Sequence, residues 1–140
     1  MALRTGKDTK IALIKKVPLF APLAKAQLAQ VASIADEVEL PEGRVLTRQG
    51  ERGREFFVVL DGEAEVRRNG RKRATIRPGE FFGEIALVSD RPRTATVMAT
   101  KPVRLLVITD TDFRSVLLRT PQIALKVLAA FAERLPSDAT

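Results

Sequence analysis

The sequence predicts a mainly β fold with flanking helices: an antiparallel β jelly-roll (a double-stranded β-helix) with N-terminal helices before it and two C-terminal helices after it. Three observations predict it. Turn signals recur at Pro41-Glu42-Gly43, Gly50 to Gly53, Asp61-Gly62, Asn69-Gly70 and Pro78-Gly79, close to the spacing of about 8–12 residues that marks an all-β sandwich or barrel. The segments between them, 45–47, 56–60, 64–67, 73–77, 94–100 and 103–108, read as strands. On either side of this region the apolar residues fall at helical spacing instead.

Residues 9–16 carry Ile11, Leu13 and Ile14 on a short helix, with Asp8 placed to cap it. Pro18 stops it, and Leu19, Phe20, Pro22 and Leu23 form an apolar bridge. A second helix over 24–34 repeats Leu28, Val31, Ala32 and Ala35 on one face. Within the β region, the run Phe56-Phe57-Val58-Val59-Leu60 has no polar break, so both of its faces are expected to be buried. Asn69-Gly70 is a type I′ hairpin signal.

Thr109-Asp110-Thr111-Asp112 reads as a capping box, followed by a helix with Phe113, Val116 and Leu117 on one face. Thr120-Pro121 then reads as an N-cap with proline at the first position. The last helix, 121–135, is apolar on most sides: Ile123, Val127, Ala130 and Phe131 make one stripe, and Ala124, Leu128 and Leu135 extend another. Such a helix is buried, covers something, or pairs with a second chain. The expected organisation is one domain over 1–140, divided into N-terminal helices (1–35), a β-roll (36–109) and C-terminal helices (110–135).

Composition narrows the chemistry. The 140 residues include no cysteine and no histidine. That removes disulfides, thiol chemistry, the commonest general base and the commonest metal ligand. A jelly-roll enzyme of the cupin type, which holds its metal largely by histidines, is disfavoured, so neither catalysis, a metal nor a cofactor is expected. No segment is long and apolar enough to span a membrane, and the N-terminus lacks the apolar stretch of a signal peptide; a cytoplasmic protein is expected. The net charge is +7, and five of the seven residues 67–73 are basic. Nucleic acid is one reading of that patch. A solvated hairpin tip is the favoured one, because no aromatic residue interleaves with the charges to stack on bases.

The stretch Arg77 to Thr100 carries the chemistry. Gly83 follows Phe81-Phe82, and Glu84-Ile85-Ala86-Leu87-Val88 is long enough for about one helical turn. Asp90-Arg91-Pro92 breaks it before the strand-like Arg93-Thr94-Ala95-Thr96-Val97. Free backbone N–H groups at the start of a helical turn suit an anion. Gly83 admits close approach of the backbone, Arg93 offers a planar fork to a phosphate, and Thr94 adds a hydroxyl. Glu84 repels a phosphate but accepts from a ribose hydroxyl. Each residue also fits a purely structural role: Glu84 complementing the dipole of its own turn, and Arg93 lying on a solvated strand, paired with Glu84 or Asp90.

As an ordered set, F-G-E-I-A-L followed by P-R-T-A-T-V resembles the phosphate-binding cassette of cyclic nucleotide-binding domains. These occur in bacterial catabolite activator proteins, in regulatory subunits of cyclic AMP-dependent protein kinase and in cyclic nucleotide-gated channels. The resemblance extends over about Pro18 to Leu135, with the cassette at 79–97, and Gly43, Gly50, Gly62 and Gly79 fall at the family's turns. It implies that Gly83 and Glu84 hold the ribose 2′-hydroxyl. It implies that the backbone of Ile85 and Ala86, with Arg93 and Thr94, holds the cyclic phosphate, and that Phe82 and Ala95 complete the ligand-binding set. It further implies a regulatory sensor of a cyclic purine nucleotide, cyclic AMP being favoured and cyclic GMP the alternative because Thr94 can also reach a guanine amino group. The last helix is expected to move over the base and transmit binding to an effector that acts in trans or belongs to a missing fused domain. A homodimer is left open.

Overall fold

The computed structural model describes residues 7–87 and 89–134. Two helices lead, α1 (Lys7–Lys15) and α2 (Lys25–Ile34). The strands follow: β1 (Asp36–Leu40), β2 (Val45–Thr47), β3 (Glu55–Asp61), β4 (Ala64–Arg68), β5 (Arg71–Ile76) and β6 (Phe81–Phe82), then β7 (Thr96–Ala99) and β8 (Val103–Thr109). A 3-10 turn, Glu84–Leu87, stands between β6 and β7. Helices α3 (Asp110–Arg119) and α4 (Pro121–Arg134) come last. The strands form two four-stranded sheets in the orders β1-β8-β3-β6 and β2-β7-β4-β5, with every pairing antiparallel. Successive strands alternate between the sheets, except for the β4–β5 hairpin within the second, as in a jelly roll.

Strand β3 organises both cores, and its unbroken apolar run is the reason. Side chains alternate across a strand. Phe56 and Val58 therefore join Ile14, Leu28, Val31, Phe113 and Ile123 in a core under the helices. Phe57 and Val59 point the other way, joining Ala64, Ile76, Phe82, Val97 and Leu105 between the sheets. Aromatic pairs close both layers. The rings of Phe56 and Phe113 meet edge to face at 5.0 Å, and those of Phe57 and Phe82 stack at 4.7 Å. The expectation that both faces of this segment are buried is met for Phe56 to Val59, with Leu60 partly buried.

Several expectations are corrected. Asp8 lies inside α1 as its second residue rather than capping it from outside; an acid in the first turn still suits the helix dipole. Strand β1 was not expected, since Asp-Glu-Val-Glu-Leu has little apolar content. It pairs with β8 over five residues, and Arg104 on β8 reaches Glu37 at 2.8 Å. Strand β6, at two residues, is too short to carry a period. Strand β7 begins at Thr96, not at Thr94. The backbone of Arg93 bonds to the β2–β3 loop instead, donating to Glu51 O at 2.8 Å and accepting from Gly50 N at 2.8 Å. At the α3–α4 corner, α4 does begin at Pro121. The Thr120 side chain is turned away, its hydroxyl donating to Gln30 Oε1 at 2.8 Å.

Of the capping box expected at α3, the N-cap half is present, with Thr109 Oγ1 accepting from Asp112 N at 3.3 Å. The hairpin tip is also as expected: Asn69 has φ 53° and Gly70 φ 77°, the double positive φ that a type I′ turn requires. In the last helix Ile123 is fully buried, whereas Leu125 and Leu128 are exposed. The stripe residues Val127, Ala130 and Phe131 lie outside the described side chains, and Leu135 lies outside the described residues.

Phe56 is wholly buried among aromatic neighbours. Phe56→Ala is expected to cost about 3–5 kcal/mol of stability. Urea denaturation measures it, and a loss below about 1 kcal/mol would show that β3 is not the shared wall of the two cores.

Candidate anion-binding site

The 3-10 turn, the segment leading into β7 and the strands β4 and β5 enclose a cavity of about 440 Å³. It lies on the inner side of the second sheet, floored by Val66, Ile76 and Val97 and edged by Thr75 and Arg73. Local chemistry fixes its rim. Gly79 N donates to Val59 O at 2.8 Å and Val59 N donates to Glu80 O at 2.9 Å, which ties the Pro78-Gly79 turn to β3 and leads the chain into β6. Ala86 N donates to Gly83 O at 3.2 Å and closes the 3-10 turn. On the opposite rim, Thr47 Oγ1 donates to Ala95 O at 3.1 Å, Gln49 N donates to Thr96 Oγ1 at 3.0 Å, and Arg68 Nε donates to Thr94 O at 3.2 Å.

Arg93 is the charged centre of this arrangement. Its side chain is only 9 % exposed. Nη2 donates to the backbone oxygen of Glu55 at 2.9 Å and stands 3.5 Å from the Glu55 carboxylate. The guanidinium carbon lies 5.8 Å from the centre of the Phe57 ring, within cation–π range. Nη1 is buried and has no hydrogen-bond partner among the described residues. Burial pushes the guanidinium below its ordinary pKa, while the carboxylates of Glu55 and then Glu84 act in the opposite direction. The group keeps its positive charge throughout. A buried donor without a partner is costly to leave in that state, and this one lines the cavity beside Gly83.

Two glycines make room for it. A Cβ on Gly53 would stand 2.3 Å from Arg93 Nε. A Cβ on Gly83 would stand 2.9 Å from Arg93 Nη1 and 2.7 Å from Glu55 O, at a backbone φ of +84°. Gly83 thus answers two constraints at once, positive φ and close approach.

Phe82, Gly83, Glu84, Ala86, Arg93, Thr94 and Ala95 all line the one cavity. Ile85 stands in the same 3-10 turn, with its side chain outside the described set. The structural alternative for Arg93 is corrected: the side chain is buried rather than solvated, and its carboxylate contact is Glu55 rather than a contact with Asp90. Sequence reasoning missed Gly53, read only as part of a turn, and Glu55, which lies just before the strand expected at 56–60 and was given no role. It also missed Arg68 and Arg73, read as hairpin decoration. The β4–β5 register slips between Val66 and Arg67, leaving Arg73 as the extra residue; such a bulge re-aims a side chain, and Arg73 lines the cavity. No periodicity signals a bulge. Among the described residues no cluster of three or more metal-ligating side chains occurs, and no helix is long and apolar enough to cross a membrane.

A jelly roll with a buried arginine, half-satisfied among the described residues and facing a glycine-led turn, has the chemistry to suit a small anion. Comparison with known proteins makes the class specific. The family model described as "Cyclic nucleotide-binding domain" matches residues 37–120. A cyclic nucleotide-gated potassium channel of Mesorhizobium japonicum is 38 % identical over 112 residues, a match covering 80 % of this chain and 31 % of the channel. A cAMP-dependent protein kinase regulatory subunit of Schizosaccharomyces pombe is 37 % identical over 94 residues, 66 % of this chain and 23 % of the subunit.

Among solved structures, the catabolite activator protein of Thermus thermophilus superposes with a TM-score of 0.77 at 30 % identity, covering 84 % of this chain and 57 % of that one. The regulatory domain of Toxoplasma gondii PKA, crystallised with cAMP, has the same fold, with a TM-score of 0.78 at 22 % identity, covering 92 % of this chain and 50 % of that one. This chain belongs to the cyclic nucleotide-binding domain family. It spans about a third or less of the length of the two curated relatives.

Gly83 and Gly43 have φ of +84° and +87°, but a Cβ on Gly43 would meet nothing within 4 Å. Alanine in a left-handed conformation costs about 1–2 kcal/mol at either position. Gly83→Ala is expected to cost measurably more than Gly43→Ala, because the new methyl also strikes Glu55 O and Arg93. Equal losses in urea denaturation would mean that the rim around Arg93 yields freely.

Proposed function

We propose that this chain is a sensor of a 3′,5′-cyclic purine nucleotide, that its ligand is cyclic AMP, and that the whole of 1–140 acts as one such domain. The single observation that carries the reading is the buried Arg93 Nη1, unpartnered among the described residues and lining the cavity where the family's cassette sequence falls. A cyclic phosphodiester supplies the acceptor that this donor lacks. In this reading Arg93 and Thr94, with the backbone of Ile85 and Ala86, hold the phosphate. Glu84 and the backbone at Gly83 hold the ribose 2′-hydroxyl, and Phe82 and Ala95 wall the sugar. A cavity of about 440 Å³ falls within the range of small-ligand pockets. Cyclic AMP is preferred to cyclic GMP because several relatives and structural neighbours are named for cAMP. Thr94, whose hydroxyl can serve either purine, is the argument for the alternative.

Regulation is the proposed role, with no catalysis, cofactor or metal. The output is assigned to an effector in trans or to further domains, since the relatives are channels and kinase regulatory subunits of which this domain is a part. The cytoplasm is the proposed place of action. The proposed moving part is α4, which closes over the base when ligand is present. It is anchored at its start by the buried Ile123 and carries exposed Leu125 and Leu128 beyond. A ligand shifts such an equilibrium only if it binds the two positions differently, and an apolar lid over a purine meets that condition.

Arg93→Ala is expected to lose about 2–5 kcal/mol of cyclic AMP binding, roughly thirty-fold to several-thousand-fold in Kd. Glu84→Gln should lose less, because an amide oxygen still accepts from a hydroxyl. Isothermal titration measures both, and a loss under about three-fold for Arg93→Ala removes the phosphate role. Hydrogen exchange tests the lid. Amides from 123 to 131 are expected to exchange fast in the free protein and slowly with saturating cyclic AMP; equal protection in both states leaves α4 a fixed helix.

A further inference from the structure

We propose that Glu55 is the internal counter-anion of Arg93 and sets the affinity of the site: its carboxylate steadies the buried guanidinium while no ligand is present, and opposes the ligand's phosphate once one is bound. The proposal rests on the reading of Arg93 as the phosphate-holding residue.

The guanidinium stands between two cavities. The larger, of about 440 Å³, includes Gly83, Glu84 and Thr94 in its lining. A smaller one of about 180 Å³, behind the guanidinium, is lined by Arg48, Glu51, Arg52 and Glu55. Arg93 and Gly53 belong to both, while Glu55 lines only the smaller and Gly83 and Glu84 only the larger. The two ends of the fork are therefore used differently. Nη2 faces Glu55, at 2.9 Å from its backbone oxygen and 3.5 Å from its carboxylate. Nη1 is buried beside Gly83 without a partner among the described residues.

A phosphate entering the larger cavity does not have to displace Glu55. Both anions can sit on one guanidinium, from opposite sides. The Glu84 carboxylate also lies in the field of Arg93. The bound state then sets three negative groups around one positive charge, where the free state sets two. Adding the third is favourable through Nη1 but is opposed by each carboxylate already present. Glu84 has a task on the ligand in this reading; Glu55 has none, because it does not line the ligand's cavity. The carboxylate of Glu55 is also replaceable. Its side chain is 47 % exposed while that of Arg93 is 9 % exposed, and the 2.9 Å bond that orients Nη2 comes from the Glu55 backbone, not its side chain. Removing the charge at Glu55 therefore takes away an opposing anion without releasing the arginine.

The experiment is a thermodynamic cycle on wild type, Glu55→Gln, Arg93→Ala and the double variant, with cyclic AMP titrated calorimetrically and the melting of each free protein measured. Glu55→Gln is expected to bind cyclic AMP about two- to five-fold tighter, the scale of a partly exposed ion pair, and to melt at a lower temperature when free. In the Arg93→Ala background the same substitution is expected to change neither quantity. Weaker or unchanged binding by Glu55→Gln, with Arg93→Ala weakened, overturns the affinity-setting role while leaving the phosphate reading intact. Wild-type affinity in Arg93→Ala, or no binding of cyclic AMP by the wild type, removes the phosphate reading and the affinity role with it. Free Glu55→Gln melting like the wild type overturns the counter-anion role by itself, whatever the ligand does.

Discussion

The desolvated guanidinium of Arg93 is the constraint on which the rest of the site depends. Taking an unpaired cation out of water costs several kcal/mol even after the protein relaxes. The fold meets that cost with a backbone carbonyl, a partly exposed carboxylate, a second carboxylate within its field and an aromatic face. All but the second carboxylate, Glu84, come from outside the cassette; Glu55 is 38 positions away. Much of the local architecture serves to bring them together. Strand β3 must start where Glu55 O meets Nη2, and the β2–β3 loop must hold Arg93 in place by its backbone. Gly53 and Gly83 must lack side chains, since a Cβ at either would occupy the space that the guanidinium fills. Among the described residues the arrangement still leaves one donor without a partner, which is costly for a folded protein and useful for a receptor.

The sequence made the local half of this legible and hid the non-local half. The cassette could be read because its parts lie within about twenty residues and each has a mechanism: glycine for positive φ, an acid at the head of a turn, an arginine after a proline break. The role of β3 could be read because five apolar residues in a row have no solvent face. The type I′ hairpin could be read because Asn-Gly satisfies two positive φ angles at once. The partners of Arg93 could not, since a side chain's burial is decided by what packs on it. The β6 pair is below the length at which alternation means anything. Strand β1 is held by a ladder to β8 and by the Glu37–Arg104 pair rather than by its own apolar content. The start of β7 was placed two residues early because Arg93 to Val97 alternates well, yet the first three of those residues are bonded to a loop and to side chains, not to a sheet.

The basic hairpin shows how one segment can be both decoration and wall. Arg67 pairs with Glu65 at 2.6 Å and remains half exposed, as a solvated charge does. Arg68 and Arg71 face each other directly across the hairpin, and like charges opposed in this way destabilise it. Two interactions offset the repulsion. Arg68 Nε donates to Thr94 O, and Gln49 grips the hairpin tip through both Asn69 Oδ1 and Asn69 N, at 2.9 and 2.8 Å. The hairpin is thereby fastened to the β2–β3 loop and to the cassette together. Of its five basic residues, Arg68 and Arg73 line the cavity beneath it.

The same logic bears on how binding could be transmitted. Helix α4 is fixed to the body through its first turn. Thr120 is buried and bonded to Gln30, Gln122 takes a 3.2 Å bond from Gln27, Ile123 is fully buried, and Ile123 N donates to Thr120 O. Past that turn the described apolar side chains change character: Leu125 is 66 % exposed and Leu128 is 64 % exposed. Each leucine kept in water forgoes about 1.5–3 kcal/mol of transfer free energy. The proposed movement of α4 would have its pivot in this anchored first turn, at Thr120 to Ile123. The pivot is joined to α2 through Gln27 and Gln30, while the cassette touches α3 through Arg114 and Ala86 O. In the proposed reading, a phosphate at the cassette would act on the foot of α4 through α3, which ends beside Thr120, where α4 begins.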